Sequence, residues 1–549
     1  MILISLQSIE KVFGGTRILH DLSWSVAEKV RVGLIGPNGA GKSTILRILA
    51  GTEEIQAGEV VRKRGVRIAY LPQHVPTDER SPMTLARAGR PDLEALSTEL
   101  AACETELGSE EVFTDPVRLE RVLSRQEKLL DRFAALGGSG FEGEARSYLL
   151  DLGLSRRDLE RPMAELSGGQ RKIAALAICL SQRPDLLLLD EPETHLDLQR
   201  RERLEALIHD FSGAVVVVSH DRYLLDETVT EIAELDQEVI TLWPGNYSAY
   251  VLARELALAR QQEVYAAQQK EIERLEEAIA RFKLWASMVP NERHIKQARV
   301  KQRQIDSMDK VERPVLERRK MALRLRSGVR GGQKIFEIHN GVVAFDGHRV
   351  LHDVELTVMR GERVGVVAPN GAGKSVLARV LIGEIELSAG SRWIGPSIQL
   401  GYFAQGHETL PAGGSPLDVV RGAQPLTENA AVSLLLRFLF LYDQVREPIA
   451  SLSGGERSRL RLMLLMLSGA NCLILDEPTN HLDIDSAEVL EAALEGYDGT
   501  VIVISHDRYF LDRMADRIVE IRDGRLLSFP GGYSDWSAQT SAHPQAIAQ

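Results

Sequence analysis

The sequence predicts an α/β fold built twice over: two tandem phosphate-binding domains joined by an α-helical hairpin. Three observations carry this prediction. GPNGAGKST, from Gly36 to Thr44, follows the largely apolar run from Val30 to Ile35 and precedes Ile45-Leu46-Arg47-Ile48-Leu49, which has helical spacing. Strand, glycine-rich loop and helix in that order are the setting of a P-loop. APNGAGKSV, from Ala368 to Val376, is a second such loop, its lysine 332 positions after the first. Between the two lies a long helical stretch with a large excess of positive charge.

The loop residues follow from phosphate chemistry. Successive backbone N–H groups and a helix N-terminus cradle phosphate oxygens. Gly39 and Gly41 let the backbone close around them without a Cβ. Lys42 is placed to reach the β- and γ-phosphates, and the Ser43 hydroxyl to ligate Mg2+. Gly36, Asn38, Ala40 and Thr44 complete the first loop, while Asn370, Gly371, Ala372, Gly373, Lys374, Ser375 and Val376 form the second.

Composition sets the frame. At 549 residues the chain exceeds one core, and about two to four domains are expected. Hydrophobic content of 44% and charged content of 26% are those of a globular protein. No apolar run approaches the ~20 residues that cross a bilayer. The opening MILISLQSIEK lacks a basic segment followed by an apolar one, so no signal peptide is expected. Cys103, Cys179 and Cys472 lie far apart with no CxxC pair, which argues against a zinc or iron–sulfur module and suits a reducing cytoplasm.

The repeat extends well beyond the two loops. YLPQ ends at Gln73 and YFAQ at Gln405, each 31 positions after its P-loop lysine. LSGGQ begins at Leu166 and LSGGE at Leu452; 23 positions after their serines stand Asp190 and Asp476, in LLLLDEPETHLD and LILDEPTNHLD. A further 30 positions on, His220 and His506 stand in VVVVSHDRY and VIVISHDRY. Only one gap differs: glutamine to serine spans 94 positions in the first half and 48 in the second. The first half thus carries a 46-residue insertion between about Asp78 and Gly140. Within it, Leu93, Leu96 and Leu100, then Leu119, Val122, Leu123, Leu129, Leu130, Phe133 and Leu136, follow helical spacing and predict an arm of two antiparallel helices.

Phosphoryl transfer to water needs positioning, a metal and a group that orients the nucleophile. Leu186 to Leu189 reads as a buried strand that ends in Asp190, which places this carboxylate beside Mg2+ and makes Glu191 the acceptor of a proton from the attacking water. Asp476 and Glu477 repeat the arrangement after Leu473-Ile474-Leu475. His220 and His506 each follow a four-residue apolar strand and a serine, which places an imidazole near the γ-phosphate. Phe13 and Phe345 each precede their P-loop lysine by 29 residues and are candidates to stack on adenine, with plain core packing as the alternative.

P-loop, glutamine loop, LSGGQ, aspartate–glutamate strand end and switch histidine together resemble the ATP-binding cassette proteins across both halves. Two cassettes on one chain with no membrane span, an arm in the first and a charged linker resemble subfamily F (ABC-F), over essentially the whole chain. The resemblance implies an ATPase, converting ATP and water to ADP and phosphate, that binds the ribosome in the cytoplasm as a monomer. It implies that Gln73 and Gln405 contact Mg2+ and water. It further implies that Ser167, Gly168, Gly169 and Gln170 cap the γ-phosphate bound at Lys374, and that Ser453, Gly454, Gly455 and Glu456 cap the one at Lys42. ATP would then join the cassettes head to tail, and hydrolysis release them.

The halves are not identical. Ala368 replaces Gly36, and Val376 replaces Thr44, removing a hydroxyl whose phosphate hydrogen bond is worth about 1 kcal/mol. Glu193-Thr194 stands where the second half has Thr479-Asn480. Unequal sites are expected, with the Lys374 site binding ATP more weakly.

The linker is the charged part. The chain carries −12 overall, yet Arg281 to Arg330 holds fifteen basic and five acidic residues, +10, which leaves −22 on the remainder. Leu258, Tyr265, Ile272 and Ile279 recur every seven residues with Leu275 and Phe282 beside them, and Met288-Val289-Pro290-Asn291 interrupts the helix. Ile295, Ala298, Gln302, Ile305 and Met308 then face back, so a hairpin with its tip near Pro290 is expected. Its cations suit RNA phosphates. The family resemblance places such a linker at ribosomal RNA and the transfer RNA of the P site, beside the tRNA exit site.

Domain bounds follow: a first cassette over 1–250 with the arm at about 78–140, the basic hairpin over 251–330, a second cassette over 331–540 and a short polar tail over 541–549. The implied role is regulation of translation or rescue of stalled or antibiotic-inhibited ribosomes. The short tip favours a general translation factor over antibiotic resistance. The alternative is the soluble ATPase subunit of a membrane transporter; a DNA-repair ATPase lacks its zinc cysteines and very long coiled coil here.

Overall fold

A computed structural model of the chain describes residues 1–13, 15–109, 112, 115–236, 238–288, 292–308, 332–345, 347–404, 410, 413–480 and 482–542. Gln405, the expected tip at Pro290, the cations from Lys310 to Arg330 and the tail from 543 lie outside them. The described residues fall into two compact units, one built from both halves of the repeat and one from the helical segment that begins at Ser248.

Each half is α/β and contains two sheets. In the first, Thr16–Ala27, Ile2–Phe13 and Ala57–Arg62 form a three-stranded antiparallel sheet. A six-stranded sheet runs in the order Ile68–Leu71, Leu186–Asp190, Ala214–Val218, Arg31–Ile35, Glu231–Asp236, Val239–Pro244. Its first five strands are parallel and the last pairs antiparallel. The second half repeats the order with Leu400–Phe403, Cys472–Asp476, Thr500–Ile504, Arg363–Val367, Arg517–Arg522 and Arg525–Pro530.

Burial explains the strand sequences. Leu186–Asp190, Ala214–Val218, Cys472–Asp476 and Thr500–Ile504 are buried at every position, as parallel strands covered on both faces must be, and so they read as unbroken apolar runs rather than alternation. Register then positions the chemistry. Asp190 pairs with Val218, and Leu34 also pairs with Val218, so the P-loop, the carboxylates and the switch histidine all leave the same edge of the sheet. Ligands bind at that carboxyl edge in open α/β sheets.

The insertion forms the helices Pro91–Leu107 and Pro116–Ala135, each opened by proline at its first position, with Asp115 accepting from the N–H groups of Val117 and Arg118. Leu96, Leu100, Cys103 and Leu129 make their shared core. Leu123, Leu130 and Leu136, expected on the packed stripe, are instead exposed: two thin helices bury only one narrow seam, which Val122, Leu129 and Phe133 fill.

In the second unit, Tyr247–Met288 and Glu292–Asp306 are helical. Leu275, Ile279, Ala298 and Ile305 form the seam, flanked by Phe282 and Met308. Ile295, expected to face back, is exposed, as are Leu284 and Trp285; the seam closes only from Phe282 inward. No described helix is long and apolar enough to cross a membrane.

Candidate active site

The P-loop geometry is that of an anion cradle. Gly36, Gly39 and Gly41 have φ of 151°, 84° and 102°. A Cβ at Gly36 would strike the Leu235 carbonyl, and one at Gly41 would lie 2.7 Å from Ile18, so both positions require glycine. In the second loop Gly371 and Gly373 keep φ of 83° and 98°, whereas Ala368 replaces Gly36 without a positive φ. The helices Lys42–Ala50 and Lys374–Ile382 begin directly after these loops, with their N-termini facing the cradles.

Both lysines turn into their loops. Lys42 Nζ donates to the carbonyls of Gly36 (2.7 Å) and Pro37 (2.9 Å), and Lys374 Nζ to those of Ala368 (2.9 Å) and Pro369 (3.3 Å). Burial lowers the Lys42 ammonium pKa while Asp483, Glu191 and Asp190 oppose that shift. Ser43 Oγ donates to Asp190 Oδ1 at 3.2 Å, and Ser375 bonds Asp476 likewise. Burial pushes both aspartate pKa values up. One hydroxyl and one carboxylate are hard oxygen donors that fit Mg2+, an ion that keeps waters and phosphates as its other ligands rather than an all-protein cage. No group of three or more His, Cys, Asp or Glu side chains among the described residues could hold a metal.

Glu191 and Glu477 share a strained backbone. Both are non-glycine residues with positive φ, 46° and 51°, and their N–H groups bond the Val218 and Ile504 carbonyls at 2.8 Å. Such strain gathers at functional sites. Beyond that they differ. Gln73 Nε2 donates to Glu191 Oε1 at 2.8 Å. Glu477 is buried, its Oε2 accepts from the His506 N–H at 3.3 Å, and its Oε1 has no hydrogen-bond partner. Burial, against Lys374 and Arg201, pushes the Glu477 carboxyl up to about 7.

The switch histidines sit where the strand edge predicts. His220 Nε2 lies 3.7 Å from Glu191 Oε1 and makes no hydrogen bond; burial, then Lys42, pushes its pKa down to about 4. His506 Nε2 meets Lys374 Nζ at 2.7 Å and lies 3.6 Å from Glu477 Oε1. Burial, Lys374 and Arg201 hold His506 well below its ordinary pKa, so it is neutral and accepts from the ammonium.

Ser167 and Ser453 cap their own signature helices, accepting from the N–H groups of Gln170 (3.2 Å) and Glu456 (3.3 Å) in capping boxes. Gly168, Gly169, Gly454 and Gly455 form the first turns. Phe13 and Phe345 are 52% and 45% exposed, so their rings lie open rather than in a core. Phe345 lines a cavity of about 820 Å3 together with Asn370, Lys374, Ser375, Asp476, Glu477 and His506, and with Glu193, His195 and Arg201 from the first half.

Several residues at the junction, most of them inside the repeated motifs, take partners that the motifs did not assign. Asp197 Oδ2 accepts from the Asn370 N–H at 3.4 Å, and Asp483 Oδ2 from the Asn38 N–H at 3.1 Å, so each half reaches the other's P-loop. Arg222 pairs with Glu491 and Arg508 with Glu205, and each guanidinium lies 4.1 Å over a tyrosine ring, Tyr509 and Tyr223 respectively. Glu193 is a further one: its Oε1 accepts from Ser219 Oγ (2.6 Å) and from the His220 N–H (3.1 Å). Burial, then Asp221, pushes its carboxyl up to about 7.

The family model described as ABC transporter matches residues 19–194 and 351–480, and a second model of the same description matches 233–325. The chain is 35% identical to the putative ATP-binding protein YdiF of Bacillus subtilis, covering 97% of this chain and 82% of that one. It is 32% identical to ABC transporter F family member 5 of Arabidopsis thaliana (97% and 78% covered) and 33% identical to the energy-dependent translational throttle protein EttA of Escherichia coli (94% and 92%). Among solved structures, the archaeal ribosome recycling factor aABCE1, in complex with ribosomal stalk protein aP1, superposes with a TM-score of 0.63 at 19% identity, covering 97% of this chain and 92% of that one, a likeness of fold. The chain belongs to the F subfamily of the ATP-binding cassette proteins and is an ATPase.

Proposed function

We propose that the chain is an ATP-gated translation factor: two head-to-tail cassettes that bind Mg2+-ATP and a basic hairpin that binds the ribosome, acting in the cytoplasm as a monomer. The observation that carries this reading is the reciprocal closure of each P-loop by an aspartate of the other half, Asp197 on Asn370 and Asp483 on Asn38, which couples nucleotide occupancy to the junction. The ribosomal target is supported by the relative named as a translational throttle and by the cations Arg281, Lys283, Arg293, Lys296, Arg299, Lys301 and Arg303 of the hairpin. Phosphate contacts by such cations give affinity that falls steeply with salt.

In each site the lysine stabilises charge on the β- and γ-phosphates, and the glycine cradle presents its N–H groups to them. Mg2+, held by Ser43 with Asp190 and by Ser375 with Asp476, would screen the phosphate oxygens as negative charge develops on them. Glu191 and Glu477 take the proton from the attacking water, which requires their ionised form. Gln73 holds the Glu191 carboxylate, and a neutral His220 or His506 lines the γ-phosphate side. Phe13 and Phe345 offer faces to adenine, and Ser167 and Ser453 with their glycines complete the site of the opposite half. Gln405 is assigned the second glutamine role from its motif alone. At the ribosome, the hairpin would lie against ribosomal RNA and P-site transfer RNA, with the cassettes gating its stay.

The test is a hydrolysis-dead trap. In Glu191→Gln/Glu477→Gln, ATP turnover should fall by about 10²–10⁴-fold, and the protein should co-sediment with ribosomes only when ATP is present. Recovery with membranes instead, as for the ATPase subunit of a transporter, or ribosome binding indifferent to ATP, would overturn the reading.

A further inference from the structure

We propose that Arg201 is a positioning residue for the reaction at the Lys374 site, serving it from the opposite half of the chain, and that no described residue does the same for the Lys42 site. The inference rests on the roles given above to Glu477 and His506.

Arg201 lies in the helix Leu198–Asp210, which begins at Asp197, the aspartate that reaches Asn370 of the second P-loop. Its guanidinium is buried and bonded to three partners. Nε donates to the Leu196 carbonyl at 3.2 Å, while Nη1 donates to Asp221 Oδ2 at 2.8 Å and to the His506 carbonyl at 3.1 Å. One cation thus ties together the helix after the carboxylate pair, the residue that follows one switch histidine, and the backbone of the other. His506 is held on three sides: its carbonyl by Arg201, its N–H by Glu477 and its ring by Lys374.

The other site is built differently. The position 11 residues after Asp476, matching Arg201 after Asp190, is Ala487, a buried methyl in the second core. His220 instead gives its N–H to Glu193 of its own half, and the position equivalent to Glu193 is Thr479. Among the described residues, His220 is therefore held from within its own half, while His506 takes two bonds from its own half and a third, to its carbonyl, from across the junction. When the halves part, His220 keeps its Glu193 bond but His506 loses Arg201. The geometry makes the Lys374 site dependent on closure in a way that the Lys42 site is not.

Basal ATP turnover of the full chain tests this through a double-mutant cycle. Arg201→Met should lower kcat about fivefold with KM within about twofold, and Arg201→Lys, which keeps the cation, should recover most of the loss. In a His506→Ala background Arg201→Met should cost nothing further, whereas in a His220→Ala background it should cost the same fivefold again. Equal losses in both backgrounds, or no loss in the parent, would overturn the proposal. A His506→Ala chain with unchanged turnover would show that the role of His506 itself is wrong, and Arg201's with it. If Arg201→Met fails to fold, Arg201→Gln, which leaves a donor for Asp221, goes through the same cycle.

Discussion

The two halves share their motifs almost letter for letter, yet the structure gives them different sites. In the first, Glu191 is held by Gln73 and the switch segment by Glu193. In the second, Glu477 is buried and itself bonds the switch backbone, and a foreign arginine holds the far side. The difference teaches that a repeated catalytic motif sets the chemistry available, while the neighbours that fix its geometry are free to diverge. A single exchange, Thr479 for Glu193, moves the acceptor of a backbone N–H from one carboxylate to another, and so engages Glu477 where Glu191 leaves that N–H to Glu193.

The junction offers the sharpest way to break this comparison. Arg222 and Glu491 are both essentially sequestered, with side chains 2% and 0% exposed, whereas in the paired ion pair Arg508 is 2% and Glu205 13% exposed. Removing one partner of a buried pair costs about 3–5 kcal/mol because the other charge is stranded. Arg222→Ala leaves Glu491 still paired with Arg513 at 2.8 Å, whereas Arg508→Ala leaves Glu205 with no other ion pair among the described residues. Arg508→Ala should therefore lower stability by that order and by more than Arg222→Ala; urea unfolding midpoints decide it, and equal losses would make the two pairs equivalent.

Glu193 sharpens the comparison through pH. Its folded pKa is raised to about 7 from an ordinary carboxyl value of 4.5, so the folded chain binds this proton more tightly than the unfolded one. Its contribution is therefore greatest at low pH and is lost as pH rises through 4.5 to 7, by up to about 3 kcal/mol. Glu193→Gln removes that loss: its melting temperature should exceed the parent's at pH 8 and converge with it near pH 5, whereas Thr479→Val, in the equivalent position, should show no such pH dependence.

The smallest expected effect concerns affinity. Thr44 accepts from Arg47 at 3.3 Å, and Val376 replaces it in the second loop. Thr44→Val should weaken ATP binding at the Lys42 site by about 1 kcal/mol, roughly fivefold. Nucleotide titrations of Lys374→Ala, with and without Thr44→Val, report that site, and those of Lys42→Ala report the Lys374 site, expected to be the weaker. Equal affinities in the two lysine variants would remove the asymmetry of binding.

Much of the fold was legible because its determinants are local. Apolar runs of four or five residues, glycine loops and helical spacing name the elements one by one, and the internal repeat assembles them into two α/β halves. The arm and hairpin were legible as helices but not as faces: Leu123, Leu130 and Ile295 have the right spacing and are exposed nonetheless, because periodicity cannot tell how wide a seam two lone helices close. At the sites, Lys42, Ser43, Asp190, Glu191 and His220 are gathered at one sheet edge, as their places at strand ends suggest.

What the sequence determined alone is the chemistry: two phosphate cradles, two carboxylate pairs, two histidines and a basic helical segment, each written in contiguous residues whose backbone geometry is set within a few turns. Only the tertiary structure decided the partnerships. Arg201 meets His506 across 305 positions, Arg222 meets Glu491 across 269, and Asn38 meets Asp483 across 445. No spacing encodes such contacts, because they arise where two folded surfaces of unrelated sequence position come to share the same desolvated volume, and a buried charge there must find its partner wherever the chain happens to bring one.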